Sequence, residues 1–466
     1  MSTTLTGPAD TGLARGDSPV SVAASSLEAM VDNMIRSGPG RAARAASYRL
    51  PRMAAFWLLV AALALMLFAS SAPSPLYPVY QQQWHYSSLV STGVYAINVL
   101  ALLATLLVAG SLSDHIGRRP VLFAAAVTAL AGTLIFAEAQ SVAWLFVARG
   151  VQGIAAGLST GAISAALIDL QPPGSRLGVL MSSVAAGAGS ASGAMACGLL
   201  VTFAPAPTHL VFWLLAAAYL VLIVGVTMMP ETAAPDGRAL DSLIPKVSVP
   251  QSVRSVFRTL LPSIIATWAL GGLYLSLGGA LMRAQFHLTS PLAGGLVIVA
   301  LQGASLTAAV ATRNWTIDRA LGRGPAFLVT GVVIALAGVA SHNVWLFLVG
   351  SSIAGLGTGP TFTGILRMLT GLTEADRRAE VITATYVAAY LAFSLPAVLA
   401  GLCLSRFDLS ATAFGYGVIV LALELVAVLS SARHRGALNT LTDAPPCPAP
   451  CPGTVAANPR VVAAHA

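Results

Sequence analysis

The stretch GSLSDHIGRRP, residues 110–120, places an aspartate, two arginines and two glycines between two long apolar runs. Hydrophobic residues make up 56% of the 466-residue chain and charged residues only 9%, which is too few to cover the surface of a soluble fold. The composition therefore predicts an integral protein of the lipid bilayer, and the quoted stretch is expected to connect two of its membrane spans.

Twelve apolar runs are long enough to cross a bilayer. A helix needs about 20 residues, at about 1.5 Å each, to span a hydrocarbon core of about 30 Å. The sequence therefore predicts an all-α membrane fold with twelve transmembrane helices. The predicted spans are 53–73, 87–110, 119–139, 142–168, 176–203, 209–229, 259–281, 291–312, 324–341, 343–368, 380–404 and 411–431.

The distribution of basic residues predicts the orientation of these spans. If both termini are cytoplasmic, 22 of the 25 Lys and Arg residues face the cytoplasm, whereas Arg283 and Arg406 lie outside and Arg149 lies within a span. This asymmetry follows the positive-inside rule and predicts a multi-pass protein of a bacterial-type cytoplasmic membrane. The net charge of +8 thus reflects insertion, and we expect no nucleic-acid partner, which would require basic residues gathered on one soluble face.

Two tails and a linker are expected to flank and divide the spans. The N-terminal segment is rich in Ser, Ala, Gly and Arg and has no apolar run long enough for a signal peptide; Met30 and Met53 are plausible translation starts besides Met1. Cys447 and Cys451 have no neighbouring metal ligands, so neither a metal nor another cofactor is expected. The predicted domains are a disordered cytoplasmic tail (1–52), an N-terminal six-helix bundle (53–230), a cytoplasmic linker (231–258), a C-terminal six-helix bundle (259–432) and a disordered cytoplasmic tail (433–466).

The two halves of the chain are related by an offset of about 200 residues. WLFVARG at Trp144 matches WLFLVGS at Trp345, and Asp114 in the quoted stretch matches Asp318 in NWTIDRALGRGP. Each half contains an even number of spans, so the repeats run parallel. This predicts two pseudo-symmetric six-helix bundles that can open to either side of the membrane.

The quoted stretch fits the pattern G-x-L-a-D-x-x-G-R-R, found between helices 2 and 3 of the major facilitator superfamily, and the chain resembles that family between residues 53 and 432. An ordinary positive-inside loop would explain the arginines but neither the aspartate nor the first glycine. The resemblance implies a transporter that works by alternating access. The matching residues are Gly110, Leu112, Asp114, Gly117, Arg118 and Arg119.

The resemblance also implies that this loop is a conformational latch rather than a substrate site. Gly110 allows close helix approach, and Asp114 is expected to face the positive N-terminal end of the eleventh span. Arg118 is expected to pair with Asp169 at the cytoplasmic end of the fourth span. These contacts, with a weaker copy at Asp318, would join the bundles while the cavity faces outward and break as it opens inward.

A second family pattern, R-x-x-Q-G, appears in the fourth span as Arg149, Gln152 and Gly153. A charge inside the membrane costs roughly 2.5–3.5 kcal/mol on insertion scales, so it is normally kept for function or for a buried partner. In the proton-coupled exporters that the chain resembles, the matching arginine is associated with proton coupling. Glu138, at the end of the third span, is the candidate partner, and snorkelling of Arg149 to the outer interface is the alternative.

Carboxylates are scarce within the predicted spans. The first span has none, although many proton-driven relatives carry an acid there. Besides Glu138, only Glu424 in LALELVAVL of the twelfth span lies within the bilayer. An unpaired glutamate facing lipid is costly, so Glu424 is expected to face protein or to titrate, and we interpret it as a packing residue.

The fifth span contains part of the pattern G-x-x-x-G-P-x-x-G-G that proton-linked exporters of the family share. Gly189, Gly193 and Gly198 match it, whereas Ala194 and Cys197 replace the proline and one glycine. The partial match favours antiport, although close helix packing also explains the glycines.

The substrate cavity is expected near the midplane, between the repeats. Asn98 and Gln302 each lie 12 residues, or about 18 Å, from their loop motifs and are expected to line the path from both sides. For each candidate, contact with lipid or packing between helices is the alternative. The aromatic candidates for the cavity wall are Tyr95, Trp268, Tyr274, Tyr386, Tyr390 and Phe393.

These features predict a monomeric secondary transporter that exports a small amphipathic organic molecule, a drug or a metabolite, in exchange for protons. An uptake symporter or uniporter for a sugar or an organic acid is the alternative, favoured by the missing proline and the acid-free first span. A polytopic enzyme would need clustered catalytic residues at one membrane face, yet the seven histidines are scattered singly. The substrate itself lies beyond what these patterns determine.

Overall fold

The computed structural model describes residues 49–109, 112–172, 175, 177–233, 249–374, 377–404 and 406–442, without the side chains of residues 114, 179, 379 and 432–442. All the helices discussed below belong to one compact unit that begins at Pro51. Most of the predicted N-terminal tail, the middle of the predicted linker, most of the predicted C-terminal tail and Gly110 lie outside the described residues.

The described part of the chain contains twelve helices that are long and apolar enough to cross a membrane, as the sequence predicts. Three short helices, Ser74–Leu76, Tyr77–Trp84 and Leu112–Ile116, are named by their residues; the first two continue the first span. The long helices are α1 Arg52–Ser71, α2 Ser88–Ala109, α3 Arg118–Ala137, α4 Val142–Leu170, α5 Leu177–Phe203, α6 Leu210–Met228, α7 Gln251–Phe286, α8 Pro291–Ala311, α9 Ile317–Ala340, α10 Val344–Gly371, α11 Arg378–Cys403 and α12 Leu409–Thr442.

Three of these helices extend beyond the predicted bounds by more than three residues. α7 begins within the predicted linker, directly after Pro250, α9 begins at Ile317 rather than at residue 324, and α12 continues beyond residue 432. Val253, Val256 and Leu260 follow helical spacing and are buried in a core shared with α10 and α11, which explains why α7 starts early. Hydropathy detects the part of a helix inside the membrane, whereas packing against protein extends a helix into water.

The two halves repeat the same helix contacts, which confirms the predicted pseudo-symmetry. Gly153 of α4 lies against the carbonyl of Asn98 in α2, and Gly355 of α10 lies against that of Leu301 in α8; a Cβ on either glycine would fall 2.2 Å from the oxygen. The glycines are 202 residues apart and the carbonyls 203. Asn98 is therefore the structural equivalent of Leu301, and the predicted pairing of Asn98 with Gln302 is wrong by one residue.

The two bundles meet where α5 packs against α8 and α2 against α11. We call the membrane surface where α3 begins and α4 ends the basic face, and the other one the opposite face. Near the opposite face, a Cβ on Gly401 of α11 would lie 2.2 Å from Thr92 Oγ1 of α2. A Cβ on Gly198 of α5 would lie 3.1 Å from Leu292 Cα of α8. The bundles are thus in close contact at the opposite face.

Candidate functional site

The loop quoted first brings a basic and an acidic side chain together at the basic face. Arg118 Nε donates to Asp169 Oδ2 at 2.7 Å, and Arg118 Nη1 donates to Ser113 Oγ at 3.5 Å. Arg52 donates to the backbone carbonyl of Asp169 at 2.7 Å, which attaches the start of α1 to the same point. The contact between Arg118 and Asp169 is the one that the sequence predicts, but both residues belong to the N-terminal bundle, so this ion pair does not itself join the two bundles. The side chain of Asp114 is outside the described residues.

Glu231 completes this loop and was missed in the sequence. Its carboxylate accepts from the backbone N–H of Arg118 at 2.8 Å and of Arg119 at 3.0 Å, while the Arg119 side chain donates to the carbonyl of Thr227. An acid is favourable at this position because the first N–H groups of α3 have no acceptor within the helix and carry partial positive charge. Gly117 has φ 103°, a backbone conformation that favours glycine, and a Cβ there would also lie 2.8 Å from Glu231 Oε2 and displace this carboxylate.

Asp318 does not reproduce this arrangement in the second half. Its side chain is exposed in the first turn of α9, and the position that matches Asp169, 202 residues on, is Gly371. Arg323 lies instead over the ring of Trp315, with Cζ 5.6 Å from the ring centroid. The copy of the loop in the second half therefore has a glycine, and no acid, at the position equivalent to Asp169. The structure gives no support to Asp318 as a latch residue.

We expect Arg118 and Asp169 to be energetically coupled. In a double-mutant cycle, R118Q and D169N should each lower the free energy of unfolding by about 1 kcal/mol, because the pair is partly exposed, and the double variant should lose little more than either single variant. Thermal unfolding of the purified protein in detergent measures all three. E380Q, which removes the partly exposed i,i+3 partner of Arg377 within one helical turn, is the control and should change the stability by less than about 0.5 kcal/mol, the usual range for such local pairs. Additive losses from R118Q and D169N would contradict the coupling.

Arg149 is fully buried in the N-terminal bundle and serves as a donor to three helical segments. Its Nε donates to Tyr77 Oη at 2.7 Å, and its Nη1 donates to the carbonyl of Ser70 at 2.8 Å and to Gln152 Oε1 at 3.2 Å. Complete burial excludes the alternative in which Arg149 snorkels to the membrane interface. The guanidinium instead joins α4 to the end of α1 and to the short helix that follows α1.

Aromatic rings rather than a carboxylate surround this guanidinium. Its Cζ lies 4.7 Å from the ring centroid of Tyr95 and 5.6 Å from those of Tyr77 and Phe136, distances at which π faces stabilise a cation. Glu138 does not reach it: this residue ends α3 and its side chain is exposed. The structure therefore contradicts Glu138 as the partner of Arg149, and no acidic side chain of the described residues forms an ion pair with Arg149.

Two of the predicted cavity residues belong to this buried cluster. The Tyr95 hydroxyl is hydrogen-bonded to Ser74, and Asn98 Nδ2 donates to the carbonyl of Arg149 at 3.0 Å. Both side chains are buried. Tyr95 and Asn98 thus hold α2 against α4 around Arg149, and the structure does not place them on a cavity wall.

Gln302 lies elsewhere, between the two bundles. Its Nε2 donates to Ser190 Oγ of α5 at 3.4 Å, and Ser71 Oγ donates to the carbonyl of Ser190 at 2.7 Å. This polar chain links α8, α5 and the end of α1, and Gln302 is partly exposed. It remains a candidate for the substrate path, without a symmetric partner at Asn98.

An aromatic cluster in the C-terminal bundle unites four other candidates. The ring of Trp268 lies 5.1 Å from that of Tyr390 and 6.3 Å from that of Tyr386, mostly edge to face. Phe393 and Phe362 lie at 6.4 Å and 5.2 Å from Trp268, the latter missed in the sequence. All five side chains are partly exposed, on α7, α10 and α11. We refer to Trp268, Phe362, Tyr386, Tyr390 and Phe393 as the aromatic cluster.

Tyr274 does not join this cluster. It is buried, its hydroxyl is 2.7 Å from Ser351 Oγ, and its ring stacks on Phe347 at 5.8 Å beside an apolar cavity between α7, α9 and α12. Ser351 stands 202 residues after Arg149, so a hydroxyl pair occupies in this bundle the place that the arginine holds in the other. Tyr274 is therefore a packing residue rather than a wall of the substrate path.

The α5 glycines that match the exporter pattern are points of close packing. A Cβ on Gly189 would lie 2.2 Å from the carbonyl of Ala64, and one on Gly193 would lie 2.4 Å from that of Phe68, both in α1. Gly198 faces α8 of the other bundle, as described above. Packing alone accounts for the three residues, so their geometry leaves the direction of transport open.

The chain matches a family model described as Major Facilitator Superfamily over residues 59–313. A relative from Pseudozyma antarctica (strain T-34), the MFS-type efflux pump MMF1, is 32% identical over 106 residues, which are 22% of this chain and 20% of the pump. The similarity thus spans about a fifth of the length of that relative.

Solved transporter structures share the fold over most of the chain. A bacterial homolog of the human lysosomal transporter Spinster, inward-facing and unoccupied, has a TM-score of 0.63 at 14% identity and covers 85% of this chain and 99% of its own. The human organic anion transporter MFSD10 (TETRAN) has a TM-score of 0.60 at 20% identity and covers 81% and 100%. The nucleoside transporter NupG has a TM-score of 0.63 at 12% identity and covers 81% and 99%. At such identities the likeness shows the fold alone.

Proposed function

Because the chain belongs to the Major Facilitator Superfamily and is thus a membrane transporter rather than an enzyme, we propose that it exports a small amphipathic organic molecule in exchange for protons. The observation that carries this proposal is the aromatic cluster. Its five rings are partly exposed and come from three helices of one bundle. Drug-sized ligands bind in concave sites lined mainly by aromatic and apolar groups with a few polar ones.

The chemistry of the aromatic cluster favours an amphipathic molecule. Trp268 and the two phenylalanines offer ring faces and edges, while the hydroxyls of Tyr386 and Tyr390 offer hydrogen bonds. The cluster contains no charged side chain, and Arg149 is buried in the other bundle, so a strongly charged anion finds no compensation here. This composition suits a weakly charged or cationic aromatic compound better than a polyanion.

The position of the cluster suits alternating access. Tyr390 of α11 lies close to Thr160 of α4, so the cluster approaches the N-terminal bundle. A rocking of one bundle against the other would break this contact and change the exposure of the rings. Substrate bound at Trp268 would in this way be presented first to one side of the membrane and then to the other.

Export and proton coupling rest on sequence similarity and charge distribution. The relative named as an efflux pump supports export, and the partial glycine pattern of α5 supports antiport. The basic face carries most of the arginines, which favours a cytoplasmic basic face with both termini on that side. We propose a monomer in a bacterial-type cytoplasmic membrane.

Uptake by a symporter or uniporter is the second candidate. It is favoured by Ala194, which occupies the proline position of the exporter pattern, and by the acid-free α1. A Cβ on Gly295 of α8 would lie 2.8 Å from the carbonyl of Ala194, so this departure falls at the contact between the bundles. Alanine in place of proline at position 194 therefore changes the packing between α5 and α8, on which the opening of the transporter depends.

Transport assays in inside-out membrane vesicles test the proposed function, with ethidium and rhodamine 6G as probes. We expect both dyes to accumulate when a proton gradient is imposed and to leave when it is collapsed. W268A should lower accumulation at least about tenfold, which corresponds to about 1.4 kcal/mol of lost binding. W345A removes a tryptophan that is 75% exposed at the start of α10 and should stay within about twofold. Accumulation only in right-side-out vesicles would establish uptake, and equilibration without a gradient would establish uniport.

A further inference from the structure

Glu424 of α12 is completely buried in the C-terminal bundle. Its Oε1 accepts a hydrogen bond from Ser263 Oγ of α7 at 2.8 Å, while its Oε2 has no hydrogen-bond partner among the described residues. Packing against α7 agrees with our interpretation of the sequence, but packing does not explain why a carboxylate is kept where an apolar side chain would cost less.

No charged group neutralises Glu424 in the part of the chain that the structure describes. α12 packs against α7, α9 and α11. Among the side chains that the structure describes on these four helices, no ionisable group is hydrogen-bonded or ion-paired to Glu424. The described ionisable residues besides Glu424 are Arg254, Arg258, Tyr274 and Arg283 of α7, Asp318, Arg319 and Arg323 of α9, Arg378, Glu380, Tyr386, Tyr390 and Cys403 of α11, and Tyr416 of α12. The side chains of Arg433, His434 and Arg435 of α12 lie outside the described residues.

Such a carboxyl group is suited to bind a proton. In an apolar interior the ionised form lacks the water that stabilises it, and a single hydroxyl donor replaces only part of that solvation. Its charge state therefore depends on whether α7 keeps Ser263 in place. A movement of α7 that removes this donor or admits water changes how readily Glu424 takes up a proton.

A row of hydroxyl side chains on α7 connects this position to the basic face. Ser255, Thr259, Ser263 and Thr267 are spaced four residues apart, so they lie on one side of the helix at intervals of about 6 Å. Ser255 is exposed, Thr259 is partly exposed, and the other two are buried. Thr267 Oγ1 has no partner in the described residues. Ser255, Thr259 and Ser263 thus place polar groups between the basic face and Glu424, and water molecules between these hydroxyls would complete a route for a proton.

Glu424 is also placed to affect the aromatic cluster. Ser263 directly follows Pro262, a proline inside α7, where the helix lacks one backbone hydrogen bond and bends more easily. Trp268, at the centre of the aromatic cluster, is five residues further along the same helix. A change at the contact between Glu424 and Ser263 therefore acts on the segment of α7 that carries Trp268.

We propose that Glu424 is the proton-binding residue of the transport cycle, reached along the α7 hydroxyl row, and that its contact with Ser263 couples protonation to the position of Trp268. This inference rests on the proton exchange proposed above. It assigns the coupling to the C-terminal bundle and to a helix pair, α7 and α12, away from Arg149.

Infrared spectroscopy tests proton binding without any substrate. In proteoliposomes of the full chain at neutral pH, wild-type protein should show the C=O stretch of a protonated carboxyl group, and E424Q should lack it. E374Q, which alters an exposed glutamate near the basic face, should keep the band. Persistence of the band in E424Q, or its absence from wild-type protein, would overturn the assignment, whatever the direction of transport.

Transport measurements test the coupling. E424Q keeps a hydrogen-bonding side chain of the same shape, so it should exchange ethidium across the membrane within about threefold of wild type. It should lose at least about tenfold of the accumulation driven by a proton gradient. S263A leaves the carboxyl group intact but removes its donor, and should move the pH profile of exchange upward by about half a unit or more. Gradient-driven accumulation by E424Q at the wild-type level, or an unchanged pH profile in S263A, would contradict the proposal.

Discussion

Replacing Arg149 by alanine is expected to reduce dye transport by about a hundredfold. The guanidinium is the donor that holds Tyr77 and the carbonyl of Ser70, at the end of the first span. Next to Tyr77, Pro78 packs against α7 of the other bundle, where a Cβ on Gly279 would lie 3.2 Å from its ring. Arg149 thus positions a segment by which the bundles meet. Leaving two buried acceptors unpaired costs about 1–3 kcal/mol each, and every 1.4 kcal/mol is tenfold.

Two controls separate the geometry of Arg149 from its charge. R149K keeps the charge but replaces the planar group that donates to Tyr77, Ser70 and Gln152 with a single ammonium, so we expect most of the loss to remain. R283A removes an arginine from the end of α7 and should keep transport within about twofold. The measurement is the initial rate of dye accumulation in inside-out vesicles, divided by the amount of folded protein. Wild-type transport by R149K would show that charge alone is needed.

The buried arginine also shows where sequence patterns stop being informative. The family pattern identified Arg149 and one of its partners, Gln152, but not Tyr77. Tyr77 lies after SSAPSP, where two prolines indicate the end of a helix. In the structure a short turn at Ser74–Leu76 carries the chain on into another helix. Pattern matching therefore favoured the nearest acid, Glu138, over a tyrosine that only the fold brings near.

The register of the two repeats is a second limit on what the sequence can predict, as Asn98 and Gln302 show. Their spacing of 204 residues equals that of the two loop aspartates, but the helix contacts repeat at 203 in α2 and α8. A shift of one residue turns a side chain by about 100° around a helix. Asn98 consequently faces α4 and Arg149, whereas Gln302 faces α5. An extra loop residue in one repeat is enough to produce this error.

Contacts between residues far apart in the chain are a third limit on prediction from the sequence. The contact between Arg118 and Asp169 was predicted because Arg118 belongs to the loop pattern and Asp169 lies at the end of the fourth span, at the same membrane face. Glu231 contacts the same loop from 112 residues away and follows no periodicity. A carboxylate directly after Pro230 at the end of a span is the one local signal, since the neighbouring helix starts at the same membrane face. Four members of the aromatic cluster were among the predicted cavity residues, whereas Tyr95 and Tyr274, predicted on the same ground, are buried packing residues. Phe362 was missed because it follows the glycine-rich part of α10.

Substituting a methyl group at Gly153 is expected to destabilise the N-terminal bundle by about 2–3 kcal/mol. A Cβ there would lie 2.2 Å from the carbonyl oxygen of Asn98 and 2.8 Å from Ala101 Cβ. Both are parts of a packed helix, so α2 and α4 must separate, and overpacking of this kind costs about 1–3 kcal/mol or more. Separation of α2 from α4 also lengthens the hydrogen bond from Asn98 to the carbonyl of Arg149, so we expect the contacts around Arg149 to be weakened as well.

Matched variants make this prediction specific. G415A places the same methyl group in α12, where nothing lies within 4 Å, so the intrinsic preference of helices for alanine should leave the stability unchanged or raise it by up to about 1 kcal/mol. G355A meets the carbonyl of Leu301 at the same 2.2 Å and should lose as much as G153A. Thermal unfolding in detergent should show a fall of about 5 °C or more for G153A and G355A. Equal behaviour of G153A and G415A would mean that α2 and α4 are packed less closely than described, whereas a loss in G153A alone would mean that the two repeats do not share this contact.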